Sequence, residues 1–165
     1  MTDNTESLSF LFNLLEKKRV FFIGFGNIDR ADDAFGILFT RKLKEIGYAL
    51  SINEVDDNID NFIINLINGE TSIDVVVFVD AVDFGGNPYD LILIKGNHIN
   101  DFFDISVHKV PLSLYSKLLT RRGIMVYILG MQPKTLEPFM KYSNEIEYHV
   151  QRIIDKIKKV LLKLK

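Results

Sequence analysis

Residues 74–80 read Asp-Val-Val-Val-Phe-Val-Asp. Five consecutive apolar residues, four of them β-branched, leave no polar face, and the run is too short for a buried helix. A strand covered on both sides has this pattern. Residues 19–24 (RVFFIG) repeat it and end on glycine. Between the two, residues 34–46 space Phe35, Leu38, Phe39, Leu43 and Ile46 at helical intervals and stop at Gly47, which suits a helix C′ position. A second helix is predicted over 59–68, ending at Gly69, with a strand over 49–55. Gly85, Gly86, Asn87 and Pro88 turn the chain into a strand over 89–94, and this short connection predicts antiparallel pairing with its predecessor. A helix over 111–122, with Pro in its first turn and Gly123 beyond its end, leads to a strand over 124–131. Asn144, with Glu147 three residues on, opens a final helix to about residue 164. The order predicts an α/β fold, a three-layer αβα sandwich on a mixed, mostly parallel five-stranded sheet. Chemistry in such folds collects where strands end and helices begin.

The length of 165 residues, 47% hydrophobic and 25% charged, fits a single domain over 1–165, with an N-terminal helix over 1–17 and an α/β core over 19–164. With no cysteine, thiol nucleophiles, Cys-ligated zinc and disulfides are excluded. The formal charge of −2 gives no general reason to bind nucleic acid. The apolar run 8–15 follows Asp3 and Glu6 rather than a basic segment, so it is not read as a signal peptide. No apolar stretch reaches the ~20 residues of a membrane span, so a cytoplasmic protein without membrane insertion is expected. The basic C-terminal stretch reads as an amphipathic helix on the sheet, its lysines solvated.

Three places carry candidate chemistry. The turn after the first strand runs from Gly24 to Gly36. Gly24-x-Gly26 suggests a dinucleotide turn, but Asp29 stands where the third glycine belongs. Asp32 and Asp33 would repel a pyrophosphate from the following helix. One of them can cap that helix; the other is then available to project toward the sheet edge. Asp80, at the end of the most apolar strand, must be solvated or partnered, and the ends of adjacent parallel strands bring it toward Asp33. Asp83 is a less buried competitor. His108 precedes a helix that returns to the same edge, whereas His98 lies in a polar loop and His149 within the last helix. Two carboxylates and an imidazole form an open ligand set suited to nickel, zinc or manganese.

The run GFGNIDRADDAFG resembles the GNxLxxDDGxG signature of the hydrogenase maturation proteases, which trim the C-terminal tail of nickel–iron hydrogenase large subunits. VFVDAVD around Asp80, SVHKVPLSL around His108, and LGMQPKTLEPF followed by residues 143–146 agree in order with the formate-hydrogenlyase and archaeal branch. The resemblance spans roughly residues 19–160. It implies a phosphorylase/hydrolase-like fold and an endopeptidase of aspartic or metallo type. The implied partner is a hydrogenase large-subunit precursor, cut after nickel insertion. Asp33, Asp80 and His108 become the catalytic and metal-contacting residues. Gly24, Gly26, Asn27 and Asp32 become the substrate-binding loop. Nickel would come with the precursor, another divalent cation standing in for it in vitro. Ala34 replaces the glycine after the acid pair, which requires a helical backbone there.

The mechanism so implied is metal-assisted peptide hydrolysis, either by polarising the carbonyl or by activating water, with a carboxylate general base as the other route. No G-x-S-x-G or H-E-x-x-H motif points elsewhere. Phe84, Tyr89, Phe102 and Phe103 are candidate docking residues, though core packing is the commoner use of such side chains. Two rival classes stand beside the protease: a nucleotide- or cofactor-binding module using Gly24, Gly26 and Glu54, and a non-catalytic hydrogenase assembly chaperone.

Overall fold

The computed structural model describes residues 4–99 and 109–164. In chain order its elements are α1 (Asn4–Lys17), β1 (Val20–Gly24), a 3-10 turn (Ala31–Ala34), α2 (Phe35–Glu45), β2 (Ser51–Asn53), α3 (Ile59–Ile67), β3 (Val75–Ala81) and β4 (Leu91–Lys95). A second 3-10 turn (Gly96–His98), α4 (Lys109–Arg121), β5 (Met125–Met131) and α5 (Asn144–Lys163) complete it. Among the described residues the strands form one sheet of order β2-β1-β3-β5-β4. The β1–β2, β1–β3 and β3–β5 pairs are parallel and β4 runs antiparallel. The mixed, mostly parallel sheet is therefore as expected. The partner of β4 is not: it pairs with β5, from Leu91↔Met131 to Lys95↔Tyr127, and not with its predecessor β3. The connection 82–90 carries the chain past the β5 position to the sheet edge.

Alternation along the strands builds two cores. Val20, Phe22, Val75, Val77, Val79 and Leu129 face α1, α2 and α5. Phe21, Ile23, Val76, Phe78, Val126 and Ile128 face α3 and α4. Every residue of β3 is buried, which is why its sequence shows no polar face. On α5, Ile146, Val150, Ile153, Ile154, Ile157 and Val160 form the buried stripe, as expected of an amphipathic helix packed on a sheet. Its cap lies one residue earlier than Asn144: the Ser143 hydroxyl accepts the Ile146 N–H at 3.2 Å.

β2 is shorter than the apolar run suggested. The Asn53 side-chain oxygen accepts the N–H groups of Val55 and Asp56, at 3.1 and 2.9 Å, closing an Asx-type turn that ends the strand. Beside β1, the Tyr48 hydroxyl donates to the Val20 carbonyl at 2.6 Å, and burial pushes its pKa up to about 12. On the other face, the Tyr115 hydroxyl donates to Asp60 and ties α4 to α3.

Candidate active site

β1 lies between β2 and β3, and the chain leaves β1 toward β2 before returning to β3. The carboxyl ends of β1 and β3 thus flank the point where strand order reverses, where open α/β sheets place their sites. The Phe25 N–H donates to the Val79 carbonyl at 2.8 Å and the Glu54 N–H donates to the Gly24 carbonyl at 3.1 Å, so β1 is tied to both neighbours at its end.

The turn beyond β1 is shaped by close backbone approach. A Cβ on Gly36 would sit 2.2 Å from the carbonyl oxygens of both Phe25 and Val79, and one on Gly24 would sit 2.1 Å from the Gly36 oxygen. The start of α2 therefore rests directly on the strand ends. Gly26 has φ +139°, and its Cβ would meet the Asp33 carbonyl oxygen at 1.8 Å. The chain folds back here, with the Asn27 N–H donating to the Asp33 carbonyl at 3.1 Å. The Asn27 side chain accepts the Asp29 N–H at 2.9 Å, so Asn27 shapes the turn from within.

The acid pair does not cap a helix. Arg30 and Ala34 occupy the N-cap positions of the 3-10 turn and α2, and neither makes a side-chain cap bond. Ala34 has φ −68° and ψ −9°, so alanine fits in place of glycine. Asp32, 2% exposed, turns inward and accepts the backbone N–H groups of Lys134 and Thr135 at 2.8 and 3.3 Å, while its own N–H donates to the Thr135 carbonyl at 3.2 Å. Its other carboxylate oxygen is buried without a hydrogen-bond partner. Asp32 thus clamps the 31–34 turn to the segment after β5. Asp32→Ala removes charge-assisted hydrogen bonds and should cost about 2 kcal/mol, a fall in melting temperature of roughly 4–8 °C by calorimetry.

Asp33 instead lines an open cleft of about 520 Å³ with Gly26, Asn27, Arg30, Glu54 and Val55. Asp80, 1% exposed, stands opposite Gly130 in the β3–β5 register, and its Oδ1 accepts the Ala81 N–H at 2.9 Å. It falls between Val79 and Ala81, which face α2, and so by alternation belongs to the α3–α4 side. The 3-10 turn carrying Asp33 packs against β3, so the two acids share one rim of the sheet. His108 lies outside the described residues, as do Phe102 and Phe103. α4 begins at Lys109 and descends to the amino end of β5, so its first residue lies at the rim that Asp80 ends. Among the described residues no three acidic or histidine side chains form a metal-binding group.

Glu54, a nucleotide contact in the rival reading, instead binds the turn itself. Its carboxylate accepts the Gly26 N–H at 2.6 Å. The amide that a phosphate would need in a Gly-x-Gly turn is thus bound to an anion from the chain itself, which disfavours the nucleotide reading. Gln132 was missed as a positioning residue: its side-chain oxygen accepts the N–H groups of Phe84 and Gly86 at 2.9 and 3.1 Å, and its amide donates to Asp83 at 3.0 Å. A polar residue directly after an apolar strand was the available signal, the same one that marked Asp80. Of the proposed docking aromatics, Phe84 packs against the α3–α4 core. Tyr89 stacks on His149 at 4.6 Å and donates its hydroxyl to Glu145 at 2.9 Å. Burial lowers the pKa of His149.

A sequence profile described as hydrogenase maturation protease matches residues 59–163. The chain belongs to the hydrogenase maturation protease family. A candidate hydrogenase maturation protease of Methanocaldococcus jannaschii is 26% identical over 146 residues, 86% of this chain and 95% of the relative. The crystal structure of the [NiFe] hydrogenase maturation protease HycI from Thermococcus kodakarensis is 27% identical, with a TM-score of 0.75 over 93% of this chain and 99% of that one. The solution structure of the endopeptidase HycI from Escherichia coli, at 23% identity and TM-score 0.69 over 85% and 89% of the two chains, shares the fold.

Proposed function

We propose that this chain removes the C-terminal extension of a nickel–iron hydrogenase large-subunit precursor after nickel has been inserted, with Asp33, Asp80 and His108 acting at the scissile segment. The observation that carries the reading is the shared rim: the Asp33 turn rests against β3, and Asp80 stands next to last in that strand, beside the switch point. Nickel arrives as part of the substrate, and two acids plus an imidazole suit an ion of intermediate hardness that already has ligands of its own. Bound in this way, the ion supplies Lewis-acid polarisation of the scissile carbonyl. The chain's own residues do the rest. The open cleft beside Gly26 and Asn27 admits an extended tail. Asp33 lines that cleft; in the alternative route its carboxylate, instead of contacting the ion, takes a proton from attacking water and returns it to the leaving amine. Asp80 presents its carboxylate from a rigid, buried strand end, and Glu54 holds the Gly26 amide so that the turn keeps its form.

The test mixes purified chain with nickel-loaded and nickel-free precursor and follows mass. The expected result is loss of the tail from the loaded form alone. Binding without cleavage would favour the chaperone class, and cleavage of the nickel-free form would remove nickel from the recognition step.

A further inference from the structure

Phe139 is 98% exposed, and its backbone has φ +62°. A left-handed backbone strains a bulky side chain, and full exposure of the ring gains nothing within the monomer. The segment that presents it is pinned on several sides. Asp32 accepts the Lys134 and Thr135 amides, the Arg30 guanidinium donates to the Leu136 carbonyl at 3.0 Å, and the Ala31 N–H donates to the Met140 carbonyl at 2.7 Å. Arg30 also bridges to Met140 and lines the Asp33 cleft. Phe139 thus projects from a fixed support one residue from the partner of a cleft-lining side chain. Met140, 46% exposed, extends the apolar surface beside it, and Val55, 51% exposed, stands on the Glu54 side of the same cleft.

We propose that Phe139, supported by Met140, is the specificity contact that docks the folded body of the precursor beside its scissile segment, the ring seating in an apolar socket on that protein. The proposal rests on the substrate reading above and names the part of this chain that selects the partner. Continuity with the cleft identifies the occupant: a tail entering beside Asp33 brings the body it is attached to against the 133–142 segment. Central aromatic anchors of this kind carry a large share of interface affinity.

Phe139→Asn separates docking from structure, because asparagine tolerates positive φ while deleting the ring. With loaded precursor as substrate, Phe139→Asn should raise KM by about 10-fold or more at unchanged kcat, while the melting temperature rises by roughly 2–4 °C. Phe139→Leu, which restores an apolar group, should return KM to within about 3-fold of the unsubstituted chain. A wild-type KM in Phe139→Asn, or a loss confined to kcat, overturns the docking proposal while leaving the protease reading intact. If the unsubstituted chain binds loaded precursor through Phe139 but never cuts it, the protease reading falls and docking stands. If it neither binds nor cuts, both fall.

Discussion

Asp80→Asn is expected to leave the protein folded and to lower kcat/KM for precursor cleavage by about 10²–10³-fold or more, the range set by removing a single electrostatic contact to a reacting group. Asparagine keeps the shape of the side chain and an oxygen to accept the Ala81 N–H at the position where Asp80 now does so. The charge is lost and one acceptor oxygen becomes an NH2 donor, on a strand end that is 1% exposed and held by β1 and β5 on either side. Asp33→Ala and His108→Ala are expected to fall as far, and the double variant Asp33→Ala with Asp80→Asn little further than either alone. Residues that serve one group are not additive. Tail release measured by mass against substrate concentration gives the ratios, with thermal melting as the control for folding. Full activity in any single variant removes that residue from the mechanism.

Gly36→Ala acts on the scaffold and should cost about 3 kcal/mol or more, lowering the melting temperature by roughly 6–12 °C. The added methyl would lie 2.2 Å from two carbonyl oxygens, those of Phe25 and Val79, and both belong to backbone that cannot rotate away. α2 must then lift from the strand ends and take Asp33 with it. Activity lost in this variant should return neither with added metal nor with higher substrate, because the turn itself has moved. An unchanged melting curve would show that α2 seats differently from the packing described above.

Much of this was readable in the residues. Strands buried on both faces announce themselves, as 75–79 does, because no position is available for a polar side chain. Asp80 stood out because charge directly after such a run is costly unless it is placed at an edge. The rim shared by Asp33 and β3 followed from parallel topology. What escaped the reading depends on partners distant in sequence. Asp32 resembles a helix cap until its real partners, Lys134 and Thr135, are brought to it by β5. β4 gives no sign that it passes β3 to pair with β5, since antiparallel pairing is compatible with either neighbour. Gln132 and Glu54 are ordinary polar residues whose roles arise only when they meet the 83–86 turn and the Gly26 amide. Phe139 lies in a polar, proline-containing stretch with no periodicity, and nothing local says that its ring faces solvent.

The clamp on Asp32 also orders events during biosynthesis. Its partner Lys134 follows 102 residues later, a delay of roughly 5–20 s at ordinary translation rates. Until then the emerging polypeptide carries the acid pair on a turn whose floor has not been made. A ribosome-bound chain stopped before that point holds both acids on a turn that Asp32 has not yet anchored, with α5 still to be added to the sheet.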